Sequence, residues 1–333
     1  METVPQPPAR VGRRFAARAS SAAALAALLL AGCGLRLETP DPEPLVPDAL
    51  EVVRADTAAA AEGLRAMAAE ADAAAAPEVA PVLARVAALS RAHLDALGGI
   101  YVPFPDVTPP APTATAAPAP PASADDVLAA LVESAAEARS DADAVADGPM
   151  ARLLASVSVA RSLLADALAT ALDTAAGPTV VFVVPETLPE GVTAQQAAVL
   201  VQSEDAAALA WEVTAARSVD ADRDLAAARA VIHRDRAQAW AEASGVAGSG
   251  ADPRRSSYAL PDALDDPATS AEERRVALGE VEAALADAYM SLVAQASVGA
   301  RVVLMDAVLD TLRMHISAGA PIPAFPGLPE RPE

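Results

Sequence analysis

Glu204, His233, Glu282 and Asp306 are the residues with which this chain could hold a metal ion. Each falls in a separate stretch of helical periodicity. Four inward projections, one per helix, would put three carboxylates and an imidazole around one point. A carboxylate-bridged di-iron centre in a four-helix bundle asks for more: a Glu from each of two helices and Glu-x-x-His from each of the other two. The chain has three histidines, His93, His233 and His315, and three residues before them stand Ser90, Ala230 and Leu312. None is a carboxylate, so that spacing does not occur. The expectation is therefore no metal and no cofactor, with a degenerate carboxylate–histidine site as the alternative. Each histidine also has a plainer reading. His93 lies on an apolar helical stripe and reads as a partly buried, hydrogen-bonded core residue. His233 reads as lying at a helix boundary face, and His315 as a cation near a helix C-terminus, where the dipole favours it. Glu282 and Asp306 could equally pair with Arg236 or Arg301 as solvated salt bridges.

Other chemistry is excluded more directly. All 24 basic residues are arginine, so no phosphate-binding loop ending in Gly-Lys can form. No Gly-x-Ser-x-Gly elbow occurs, and Gly248-Ser-Gly250 is a loop fragment. Trp211 and Trp240 fall in helical segments and read as core anchors. No catalytic signature is found, and the chain reads as a non-enzyme.

Cys33, the only cysteine, points to a different chemistry. It follows Arg10, Arg13, Arg14 and Arg18, then an apolar run from Ala22 to Leu30, then Ala31-Gly32. Charged start, short apolar core and small residues at the cut make a secretory signal, too short to span a bilayer. Leu30-Ala-Gly-Cys33 resembles a bacterial lipobox. That resemblance implies removal of residues 1–32, a diacylglyceryl thioether on Cys33 and a place on the extracytoplasmic face of the cell membrane. The acids and prolines of 33–47 read as a tether. Arg13-Arg14 leaves twin-arginine export open. The formal charge of −21 falls further when four arginines leave with the signal. Such a surface disfavours nucleic acid and anionic headgroups, so the membrane link rests on the lipid.

The elements that must position these groups are helices. Alanine, the strongest helix former, dominates, and aromatics are 3% of the chain. Residues 48–177 read as four helices. The second presents Val82, Val86, Leu89, His93 and Leu97 on one face. A proline-rich stretch from Tyr101 to Ala122 follows, which cannot be helical, and Ser123-Ala-Asp-Asp126 resembles a capping box opening the third. Residues 178–192 read as a linker, with Thr179 to Val184 extended and packed on the core. Residues 193–320 repeat the plan: Thr193-Ala-Gln-Gln196 opens a helix, a second helix ends at Gly245, a long crossover runs to Thr269, and Ser270-Ala-Glu-Glu273 caps the next. Residues 321–333 are a proline-rich tail. A long loop occurs twice at the same point, between the second and third helices. A four-helix bundle with one long crossover is the ferritin-like topology, so the fold class expected is all-α, two tandem ferritin-like bundles.

Tyr258-Ala-Leu-Pro261, Glu282-Ala-Ala-Leu-Ala-Asp-Ala-Tyr289, Ala324-Phe-Pro-Gly-Leu328 and Gly32-Cys33-Gly-Leu-Arg-Leu-Glu38 resemble a family of actinobacterial envelope lipoproteins with a ferritin-like domain of unknown function. The resemblance covers the mature start and roughly 194–329. It implies a four-helix fold and an envelope location, and no known reaction. That family's pattern carries Glu-His where this chain has Glu204-Asp205. The expected role is binding or scaffolding an envelope protein partner. A metal-binding or oxidase protein with a degenerate site is the alternative, and a lipid or small-ligand carrier a third.

Overall fold

Polar caps fix where five of the long helices begin. In the computed structural model, which describes residues 46–102, 121–177 and 181–331, α1 (Ala49–Asp72) starts where Asp48 accepts a hydrogen bond from the Glu51 amide, and α4 (Gly148–Ala171) where Asp147 accepts from Met150. Full capping boxes open α3 (Ala124–Ala144) at Ser123 and Asp126, α5 (Ala194–Arg217) at Thr193 and Gln196, and α8 (Ala271–Val293) at Ser270 and Glu273. In each box a side-chain oxygen satisfies an amide that the first turn leaves free. The remaining long helices are α2 (Ala80–Ala96), α6 (Asp220–Ala243) and α9 (Val302–Ser317). A four-residue helix, α7 (Asp262–Asp265), sits in the crossover before α8; four residues carry no periodicity that a sequence reading could detect. The described residues are all helix, turn and irregular chain, without strands. The signal segment, Cys33, all but the end of the tether, the proline-rich stretch 103–120 and residues 178–180 lie outside the described residues.

Each half pairs its helices in one pattern. In the first, α1 packs on α2 and α3, and α4 on α2 and α3. In the second, α5 packs on α6 and α8, and α8 on α9, while Arg229 and Arg236 of α6 reach Asp310 of α9. The second and third helices of each half stand across the interior from each other, meeting in the second half through side chains such as Arg229 and Glu282, which is why a long crossover must join them.

All these helices belong to one compact unit, and one apolar cluster runs through both halves, from Leu64, Leu83 and Leu131 to Leu200, Tyr289 and Leu304. Helix α4 lies at its centre and contacts α8 and α9 as well as its own half. Among the described residues α4 alone is long and apolar enough to cross a membrane, and most of it is buried by other helices. Its composition is that of a core helix with neighbours on nearly every side. The Phe182 ring is buried, edge-on to Tyr289, whereas Val181 and Val183 face solvent. Among its described residues the extended connector packs on the core through Phe182 and, partly buried, Val184.

The tail is part of the fold. His93 Nε2 donates to the Ala324 carbonyl (2.8 Å), Ser156 Oγ to Pro326 (2.8 Å) and Arg152 to Gly327 (2.9 Å). Ile322, Ala324 and Leu328 are buried. Residues that follow α9 in the second half thereby close over α2 and α4 of the first.

Candidate functional site

The structure brings Glu204 (α5), His233 (α6) and Glu282 (α8) together at zero solvent exposure and leaves Asp306 out. Asp306 pairs with Arg139 of α3 at 2.6 Å, because α9 packs on α3 and α4 as well as on α8. The α9 carboxylate that joins the cluster is Asp310, one turn further on.

His233 is not at a helix boundary, as its flanking charges suggested; it is in the middle of α6, wholly buried. Its Nδ1 lies 2.5 Å from Glu204 Oε2 and its Nε2 2.9 Å from Glu282 Oε1. A carboxylate oxygen only accepts here, so both ring nitrogens donate and the ring is an imidazolium. Burial works to lower the His233 pKa, but the charges of Glu282 and Glu204 and their hydrogen bonds outweigh it and hold it above its ordinary value. Arg229, one turn before His233, donates from Nε and Nη2 to the two oxygens of Glu282, both at 2.8 Å, and from Nη1 to Asp310 (2.9 Å). Trp211 Nε1 adds a fourth donor to Glu282 (3.0 Å). Burial alone would raise the Glu282 carboxyl; the His233 charge and the Arg229 hydrogen bonds hold it at about 2. The expectation of a solvated pair with Arg236 or Arg301 is therefore corrected: Glu282 is buried and its partner is Arg229.

The remaining acceptors are filled by aromatic donors. Tyr289 donates its hydroxyl to Glu204 Oε1 and accepts from Trp240 Nε1 (2.9 Å). Burial and the neighbouring Glu204 charge push the Tyr289 hydroxyl well above its usual range. Arg236 donates to Asp310 (2.8 Å) and lies 4.6 Å over the Phe182 ring. Three carboxylates, Glu204, Glu282 and Asp310, thus face three cations, Arg229, His233 and Arg236. The charges balance, and both oxygens of each fully buried carboxylate, Glu204 and Glu282, accept hydrogen bonds, the condition under which a buried ionic network is tolerated.

A metal does not fit this donor set. The oxygens that would coordinate it already accept from guanidinium, imidazolium, indole and phenol, and both histidine nitrogens carry protons. Among the described residues no group of three or more His, Cys, Asp or Glu is disposed to hold a metal ion. The Arg229 guanidinium supplies, as a fixed part of the chain, the positive charge that two inward carboxylates require. The arrangement orients and locks four helices, and neither Glu204 nor Glu282 has an oxygen without a donor.

The other sequence candidates are placed as follows. His93 is fully buried, and burial, reinforced by Arg161, holds its pKa down to about 3 against the Ala324 hydrogen bond. His315 lies in the last turn of α9 and bonds the Gly279 carbonyl (2.8 Å). Trp211 and Trp240 are core residues whose indole N–H groups also serve the network. Asp205 accepts from the Tyr258 hydroxyl (2.7 Å) and ties the crossover to α5. Burial and that acceptor push the Tyr258 hydroxyl up to about 12. Among the described residues of the first half no carboxylate is buried; Arg161, buried there, donates to the Thr57 and Ser134 carbonyls (both 3.1 Å).

Sequence reading missed Arg229 and Asp310, took Arg236 only for one side of a solvated pair, and quoted Tyr289 only as part of a motif. A signal existed on α6. Ala226, Ala230, Ala237 and Trp240 mark its buried stripe, and Arg229, His233 and Arg236 fall on that same stripe at helical spacing.

Residues 194–330 match a sequence family described as a domain of unknown function (DUF4439), and every charged member of the network lies within that segment. No curated protein and no solved structure matches the chain.

Proposed function

We propose that this is a lipid-anchored envelope protein of two fused ferritin-like bundles, in which a closed ionic network stands where the ferritin-like plan puts metals. Its role is to bind or scaffold a protein partner outside the membrane. The observation that carries this reading is the Arg229 guanidinium bridging Glu282 and Asp310 beside a doubly bonded His233. A site so filled holds its shape and does no redox or hydrolytic work. The pairing of first helix with third, and second with fourth, in both halves supports the ferritin-like topology. The signal-like leader and the lipobox around Cys33 support the anchor, and the net charge of −21 favours attachment through lipid over attachment through a basic surface.

Two results in the cell test it. The wild-type chain should partition into the detergent phase and Cys33→Ser into the aqueous phase; equal partition removes the anchor. In-cell cross-linking should join the anchored chain to one envelope protein in a fixed ratio. Only monomer after cross-linking removes the scaffold role.

A further inference from the structure

We propose that the cavity at one end of the second-half helices is a binding site for a monoanionic amphiphile, a carboxylate carrying an apolar chain. The cavity measures about 460 Å³, within the range of small-molecule sites. All four long helices of that half contribute to its wall: the end of α5, the start of α6, the first turns of α8 and the last turn of α9. Its floor is apolar, with Trp211, Ala226, Leu278 and Met314 meeting there. Leu225 lines it while 55% exposed, an apolar side chain at an opening rather than under a neighbour.

The charges at the mouth decide the sign of the ligand. Arg275 is already matched, since its guanidinium grips both oxygens of Glu272. Asp222 is exposed in the first turn of α6, where water and the helix dipole stabilise it. Arg274 differs from both. It is half-buried in the wall, its hydrogen bond goes to the Thr269 carbonyl, and no carboxylate pairs with it among the described residues. A half-buried guanidinium without a counter-charge favours an anionic group beside it. An apolar floor with one uncompensated cation at the rim selects an amphiphilic anion over a neutral or cationic one. The floor has a further consequence. Trp211 lines the cavity and donates to Glu282, so a chain seated on its ring touches the lid of the ionic network.

The test uses the full-length purified chain and its own fluorescence. Trp211 lines the cavity, and Trp240, the other tryptophan, is fully buried away from it. Laurate, titrated below its micelle-forming concentration, should change the emission saturably with one site per chain. Dodecyltrimethylammonium, with the same chain and opposite charge, should bind at least about tenfold more weakly. Arg274→Gln should weaken laurate at least about tenfold and erase the preference between the two probes. Leu225→Glu, at an exposed position, should weaken laurate similarly without altering the helical circular dichroism, and it decides the matter if Arg274→Gln fails to fold. No saturable response to laurate, equal affinity for both probes, or unchanged laurate affinity in Leu225→Glu would overturn the proposal.

Discussion

Arg229 grips Glu282 through two parallel hydrogen bonds, Nε to Oε1 and Nη2 to Oε2, both 2.8 Å long and out of contact with water. Removing one partner leaves the buried network of three carboxylates and three cations with one charge uncompensated. Arg229→Met should therefore destabilise the fold by about 3–5 kcal/mol. Adding Glu282→Gln should recover part of that loss, because the stranded charge goes with it. A double-mutant cycle by urea unfolding reads the coupling, expected at about 1–3 kcal/mol; strict additivity would show that the pair does not act as a unit.

The two buried histidines give stability opposite dependences on pH. The folded pKa of His233 is raised, so its contribution is complete below its ordinary value of 6.5 and is lost as pH rises through the folded value. The thermal midpoint should fall on the alkaline side of pH 6.5, and His233→Asn should flatten that limb. His93 is held at about 3, so the unfolded chain takes up the proton first. Its penalty grows as pH falls from 6.5 toward 3 and reaches about 5 kcal/mol at most. Glu282, held at about 2, adds to the same acid limb below its ordinary value of 4.5. His93→Phe should soften acid unfolding; an unchanged acid limb would place the loss elsewhere.

The tail should act as a clasp. Gly327 has φ +70°, and a Cβ there would stand 2.4 Å from the Met290 Cβ. Gly327→Ala should lower the thermal midpoint through backbone strain and overlap together. Truncation after Gly319 uncovers the surface that Ile322 and Leu328 fill and removes the acceptor for His93, at a cost of about 3–6 kcal/mol. Hydrogen exchange should quicken in α2 and α4, which lie far from the cut in sequence. Protection unchanged in those helices would show that the clasp is not holding them.

The helices were legible because their signals are local. Ser123, Thr193 and Ser270 each stand three residues before a side chain that completes a capping box, and the structure uses all three. Glu204, His233 and Glu282 were legible as an alternative set, with Asp306, because one comes from each helix, although His233 by itself read as a boundary residue. Asp306 was misplaced because it and Asp310 are one turn apart on α9, and only the packing of α9 on the first half sends Asp306 to Arg139. Arg229 went unseen because arginine on a helix normally faces water. Its place on the alanine stripe of α6 could be read from the spacing, whereas its pairing with Glu282 and Asp310 depends on how α6, α8 and α9 pack together. The clasp joins residues more than 150 positions apart, Ser156 and Pro326 among them, and no spacing rule reaches that far.

Metal content by plasma mass spectrometry, on the full-length chain after anaerobic iron loading and gel filtration, tests the central claim most directly. A closed network predicts less than about a tenth of a metal per chain, in the wild type and in Glu204→Ala alike. One or two irons per chain, lost in Glu204→Ala or His233→Ala, would contradict it and turn the same residues into ligands.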